Sequence, residues 1–178
     1  DLPAPGVYVR EVLASGLREQ ARLGVNPFKL GIIGSTDTHL GTPGLVDEDR
    51  FVGHAAGRVT SRLRPAMPPD DLRFNPGGLA VVWAEENSRD ALFEAMRRRE
   101  TYGTSGPRML VRFFGGWGYP PDLCASQGFV ASGYAGGVPM GADLPSRPQG
   151  AGAPVFAAWA LADPGTPDRP GTPLQRIQ

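Results

Sequence analysis

Cysteine is all but missing from this chain: Cys124 stands alone in 178 residues. A single thiol excludes an internal disulfide framework and a cysteine-based zinc site, and with no cysteine–histidine arrangement around it Cys124 reads as a buried or half-buried bystander. Histidine is nearly as scarce, with His39 and His54 only. Lysine is rarer still: Lys29 is the only one among 18 basic residues, the mark of a GC-rich, bacterial coding sequence. Those 18 are matched by 18 acidic residues, so no overall field draws in nucleic acid or an anionic membrane surface. No basic stripe with interleaved aromatics supports nucleic-acid binding either. No apolar run approaches the roughly 18 residues of a transmembrane helix. No targeting segment is visible, but a chain opening on Asp1 and closing on Leu174-Gln175-Arg176-Ile177-Gln178 reads as an internal piece of a larger protein. The compartment stays open between periplasm and cytoplasm.

Glycine and proline are plentiful instead, 25 and 19 residues, and they crowd into Gly41–Gly78, Gly115–Pro154 and Pro164–Pro173. These stretches read as long loops, of a kind that is functional or partly disordered in compact domains. Between them lie regular patterns. Val9, Val12, Leu13, Leu17 and Ala21 fall at helical spacing within Tyr8–Leu23, Gly16 invites a close neighbour, and Gly24 suits the helix stop. Asn26-Pro27-Phe28 turns the chain into an expected strand, Leu30–Gly34, antiparallel to that helix. Leu79–Trp83 reads as a buried strand. Asn87 is the expected N-cap of a helix from about Ser88 to Arg99, with Glu94 spaced to pair with Arg98. Thr101–Gly106 is a turn or short strand, Met109–Phe114 a strand, and Pro154–Leu161, apolar on both faces, a buried strand. Trp83, Trp117 and Trp159 are expected as core aromatics, Trp117 nearest a pocket rim.

The segment Gly34-Ser35-Thr36-Asp37-Thr38-His39 carries the chemistry. Alternation along an extended chain points Asp37 and His39 the same way, roughly 6 to 7 Å apart. A carboxylate and an imidazole at that spacing can serve one divalent ion or two adjacent ones. A surface turn is the commoner explanation of Asp-x-His alone, but this pair follows an apolar strand, where α/β folds build their sites. The fold class read from these elements is α/β.

Four blocks of the sequence resemble the domain-of-unknown-function 3604 family. They are Asn26-Pro27-Phe28-Lys29 with Gly34–His39, Trp83–Arg89, Arg98–Arg108, and Arg112-Phe113-Phe114-Gly115-Gly116-Trp117. The resemblance covers nearly the whole chain. It implies the carboxyl-terminal part of a PHP-like (polymerase and histidinol phosphatase) distorted β/α barrel, related to carbaryl-hydrolase-like proteins, over residues 1–108, followed by a loop-rich β-containing extension over 109–178. It implies two or three divalent metal ions (Mn, Zn or Fe) in the full-length protein, with Asp37 and His39 as ligands and as the catalytic pair acting on a small-molecule ester or phosphoester. Most ligands of such a centre would come from the upstream half of the barrel, so the chain by itself is expected to be inactive. The family usually carries Ala where Gly103 stands, a difference that looks harmless from sequence.

For an anionic substrate the cationic clamp would be Arg108, backed by Arg89 and Arg99, with backbone N–H groups near Ser105 and Gly106 forming an anion nest. A surface ion pair is the ordinary alternative for Arg108. His54, in a polar loop, is a candidate substrate contact or an exposed residue. Glu85, Glu86 and Glu100 could support ligands or supply a general acid; acidic residues before a helix more often favour its dipole. Two non-catalytic alternatives stand beside the hydrolase: a scaffold that completes a larger barrel, and a ligand-binding module built on Met109–Ile177.

Overall fold

The computed structural model describes residues 8–36 and 77–177, so Asp37, His39 and His54 lie outside the described residues. The chain divides into two compact units, Asp1–Gly31 and Ile32–Gln178.

In the first unit, helix α1 (Val9–Leu23) forms where the apolar spacing requires it. It stops at Gly24, whose φ of 78° is left-handed and whose N–H donates to the Gln20 carbonyl at 2.9 Å. That conformation suits glycine because a Cβ would crowd the backbone. Gly16 is buried against the Asn26 side chain, and Asn26 Oδ1 accepts the Phe28 N–H at 2.8 Å to make the expected turn. Along the apolar stripe of α1, Val9 is 52 % and Leu17 66 % exposed, while Val12 is half-buried.

The second unit contains three small sheets, and every strand pairing among the described residues is antiparallel. In the first sheet, β1 (Leu79–Val82) pairs with β2 (Thr101–Thr104), joined through helix α2 (Arg89–Arg97). The cap of α2 is Ser88, whose Oγ accepts the Ala91 N–H at 3.3 Å, and not Asn87; both residue types suit the position, and the first helical turn begins one residue later than expected. Glu94 pairs with Arg97 at 3.8 Å instead of Arg98, because Arg98 turns to Glu100. After α2 the chain reverses through Arg99, which has φ 62°, and β2 starts at once, running back along β1.

Ile32–Thr36 passes beside this hairpin, but Leu30–Gly34 is not a strand as expected. The Ile32 carbonyl is taken by the Thr101 hydroxyl at 2.8 Å, a side-chain bond where a ladder would use backbone N–H groups. Three glycines make the passage this close. A Cβ on Gly34 would lie 2.7 Å from both the Leu79 and Thr104 carbonyl oxygens, one on Gly78 2.8 Å from the Ser35 carbonyl oxygen, and one on Gly103 2.7 Å from the Ile33 carbonyl carbon. Gly103 is therefore not a harmless exchange for alanine in this chain.

The second sheet, ordered β4-β3-β5, holds the core. It comprises β3 (Leu110–Gly116), β4 (Gly137–Pro139) and β5 (Val155–Leu161), with helix α3 (Phe129–Gly136) leading directly into β4. The expected loop Gly115–Pro154 thus contains a helix, a strand and a helical turn at Leu123–Ala125. Phe114, fully buried, meets Phe129 and Tyr134 edge-on, with ring centroids 5.5 and 5.1 Å away. Tyr119, Leu123, Phe129 and Ala157 close round it, Trp159 packs against the cluster, and the Tyr119 hydroxyl donates to the Gly133 carbonyl at 2.5 Å.

Expectations of burial go wrong where one face of a sheet is open. Phe156 on β5, 58 % exposed, stacks at 5.7 Å on Phe113 of the central strand β3, itself 40 % exposed. None of the three tryptophans is fully buried, and Cys124 is exposed on the Leu123–Ala125 turn. A third, minimal sheet pairs β6 (Gly165–Thr166) with β7 (Arg169–Pro170). No helix among the described residues is long and apolar enough to cross a membrane.

Gly103→Ala is expected to destabilise the chain by about 1–3 kcal/mol, the usual range for overpacking. Urea denaturation followed by circular dichroism measures it, and an unchanged midpoint would show that the passage yields without strain.

Candidate functional site

A carboxylate without water around it needs partners, and Glu100 is only 4 % exposed. It is placed by the reversal at Arg99: the Arg99 N–H donates to Met96 and the Glu100 N–H to Ala95, which closes α2 and points the chain inward. The Tyr134 hydroxyl donates to Glu100 Oε1. Arg112 Nη1 lies 3.8 Å from the same oxygen and 3.0 Å from the Tyr134 hydroxyl oxygen, to which it donates. Arg98 Nη2 approaches Oε2 at 3.5 Å.

Arg112 is in turn fixed by stacking. Its guanidinium carbon sits 3.3 Å from the centre of the Trp83 ring, a cation–π contact. The Trp83 indole N–H donates to the Val111 carbonyl at 3.0 Å, which orients the ring. Tyr102 locks the same seam between the two larger sheets: its hydroxyl donates to the Met109 carbonyl at 2.9 Å and accepts from the Val111 N–H at 3.1 Å. Above this network opens a pocket of about 450 Å³, lined by Trp83, Ala84, Glu85, Arg98, Glu100, Arg112 and Tyr134.

Burial pushes the Tyr134 phenol up from its ordinary value, and the hydrogen bond to Glu100 and its negative charge push it further, against the opposing pull of Arg112. Tyr102 and Tyr119 are also raised, chiefly by burial. Asp163 moves the other way. Its Oδ2 accepts the Arg108 N–H at 2.6 Å and its Oδ1 the Gly165 N–H at 2.9 Å, and these bonds hold its carboxyl below the usual carboxylate range.

Of the residues considered from sequence, Glu85 and Glu100 line the pocket and Glu86 does not, while Ser105 and Arg108, the expected substrate contacts among the described residues, are both exposed. Arg108 anchors the start of β3 to Asp163 through its backbone, and the Gly106 N–H donates to Thr104 Oγ1 at 3.2 Å. Neither Ser105 nor Arg108 lines the pocket. Arg99, considered as a second cation, binds the Gly141 carbonyl at 2.8 Å and approaches Asp143 at 3.7 Å. Among the described residues no three His, Cys, Asp or Glu side chains stand together as a metal site. Sequence reasoning missed Arg112 and Tyr134. The one available signal was a lone arginine inside the apolar run Met109–Phe114.

The energetics of the network rank its members. Arg112→Leu strips a buried carboxylate of the more buried of its two cations and is expected to cost about 3–5 kcal/mol. Tyr134→Phe removes one hydrogen bond to a charged group, about 1.5–3 kcal/mol. Arg98→Ala, at a half-exposed pair, is expected to cost less than about 1 kcal/mol. Chemical denaturation orders the three, and an Arg98→Ala loss as large as that of Arg112→Leu would contradict the ranking. The raised tyrosines set a pH dependence. Folding tightens their hold on the proton, so stability is unaffected below the ordinary value of 10.0 and falls as pH rises above it. Thermal melts between neutral and alkaline pH measure the slope, which Tyr134→Phe should reduce.

Comparison with known proteins gives little beyond kinship. An uncharacterized protein of Chlamydia trachomatis serovar D is 30 % identical over 103 residues, covering 56 % of this chain and 16 % of that protein. The chain thus spans less than a fifth of that relative's length. No solved structure matches. The family model described as a protein of unknown function, DUF3604, matches residues 2–178, and the chain belongs to that family.

Proposed function

We propose that the chain is part of a metal-dependent hydrolase and contributes the Asp37-x-His39 pair to its metal centre. The observation that carries this reading is the way the motif is approached. Ile32–Thr36 runs pressed against the β1–β2 hairpin by the close approach of Gly34, Gly78 and Gly103, tied by the Thr101 hydroxyl, with Thr36 buried at 7 % exposure, one residue before Asp37. Ligand pairs depend on rigid supports of this kind.

A carboxylate and an imidazole suit a borderline divalent ion such as Mn, Zn or Fe. Such an ion, when bound, lowers the pKa of a coordinated water toward neutrality. Asp37 would supply negative charge and accept the water proton, and His39 would ligate through one ring nitrogen while the other needs an acceptor. The reading favours phosphate-ester hydrolysis, with carbamate or other ester hydrolysis next. The PHP-like barrel belongs to the same proposal, with its remaining ligands and its other half outside this chain.

A scaffold role is the second reading, favoured by the exposed apolar side chains of α1 at Val9, Leu13 and Leu17. Metal analysis separates the two. The longer protein containing this chain is expected to carry stoichiometric Mn, Zn or Fe, most of it lost in Asp37→Ala and His39→Ala, with the 178-residue chain alone hydrolysing model phosphoesters weakly or not at all. A metal-free longer protein, or full retention of metal in both variants, would sink the hydrolase.

A further inference from the structure

The pocket above Glu100 includes neither Asp37 nor His39, and its ligand does not depend on the hydrolase reading. We propose that it binds a small organic oxyanion, a carboxylate or a phosphomonoester, between the guanidinium groups of Arg98 and Arg112 and against the aromatic rings of Trp83 and Tyr134. Its volume of about 450 Å³ falls within the range of small-molecule sites.

Charge decides the sign of the ligand. At the floor one buried carboxylate, Glu100, faces two guanidinium groups. Glu100 is already committed to Tyr134 and Arg112, so a cation entering the pocket would meet surplus positive charge. Glu85, the other acid of the lining, is exposed at the rim, so the formal charges of the whole lining balance and the positive surplus is local to the floor around Glu100.

Geometry decides the group. Charge-assisted N–H···O bonds run at roughly 2.7–2.9 Å. The 3.5 Å separation between Arg98 and Glu100 is long by that measure, and the Arg98 side chain is 53 % exposed. Arg98 can therefore move its planar fork onto an incoming oxyanion without breaking a strong bond. Arg112 cannot follow, being stacked on Trp83 and bonded to Tyr134, so it acts as the fixed half of the clamp. Trp83 and Tyr134 line the same pocket and offer ring carbons to the organic body of the ligand.

Titration calorimetry on the chain with benzoate, phenyl phosphate, inorganic phosphate and neutral benzyl alcohol tests the proposal. One-to-one, saturable binding of benzoate or phenyl phosphate is expected, with the tighter of the two identifying the oxyanion, and no binding of benzyl alcohol. Arg98→Ala should weaken the preferred ligand by about tenfold or more while the far-ultraviolet circular dichroism is unchanged. Glu85→Gln, on an exposed side chain, should tighten it. Absence of saturable binding by either aromatic anion, unchanged affinity in folded Arg98→Ala, or unchanged or weaker affinity in Glu85→Gln would overturn the proposal. Inorganic phosphate binding as tightly as phenyl phosphate would remove the organic body from it.

Discussion

Once a carboxylate is taken out of water, its neighbours are no longer free to vary independently. Glu100 is such a group, and its requirement for compensation organises the seam between the two larger sheets. Arg112 must come from β3, Tyr134 from α3 and Arg98 from the end of α2. Three elements are thereby fixed about one point, and the indole of Trp83 holds the central arginine flat. Removing a partner leaves a charge with nowhere to go, which is why such networks are strong constraints even where their net contribution to stability is small.

The hydrophobic core supports the same arrangement from the other side. Phe114 contacts the ring of Tyr134, whose hydroxyl reaches Glu100, so one aromatic residue belongs to both the apolar cluster and the polar network. Packing around Phe114 thus sets the position of a hydrogen-bond donor. The backbone passage at Gly34, Gly78 and Gly103 is a separate device. It relies on missing side chains, whereas the Glu100 network relies on side chains of specific chemistry.

Local signals in the sequence read well. Helical spacing and a terminal glycine located α1; apolar runs located β1, β3 and β5; the Arg98–Arg108 block contained β2. What failed was whatever depends on neighbours distant along the chain. β5 is apolar on both faces yet leaves Phe156 exposed, because burial is decided by what packs on each face of its sheet. Ser88 and Asn87 are equivalent caps on chemistry alone, and packing chose between them. The contact of Tyr134 with Glu100 spans 34 residues, and no spacing rule reaches across that interval. Asp37 and His39, legible as a motif, fall outside the described residues, and the role proposed for them rests on the sequence pattern and the segment that leads to them.

Arg99 holds a left-handed backbone that glycine would adopt with less strain, yet its side chain reaches the turn at Gly141 and Asp143. The position therefore joins two opposed demands in one residue: ease of the local backbone and connection to a segment some forty residues away. Protein engineers who scored each site by dihedral preference alone would replace this arginine first, and in doing so would uncouple the 141–143 turn from the hinge that delivers Glu100 to the interior.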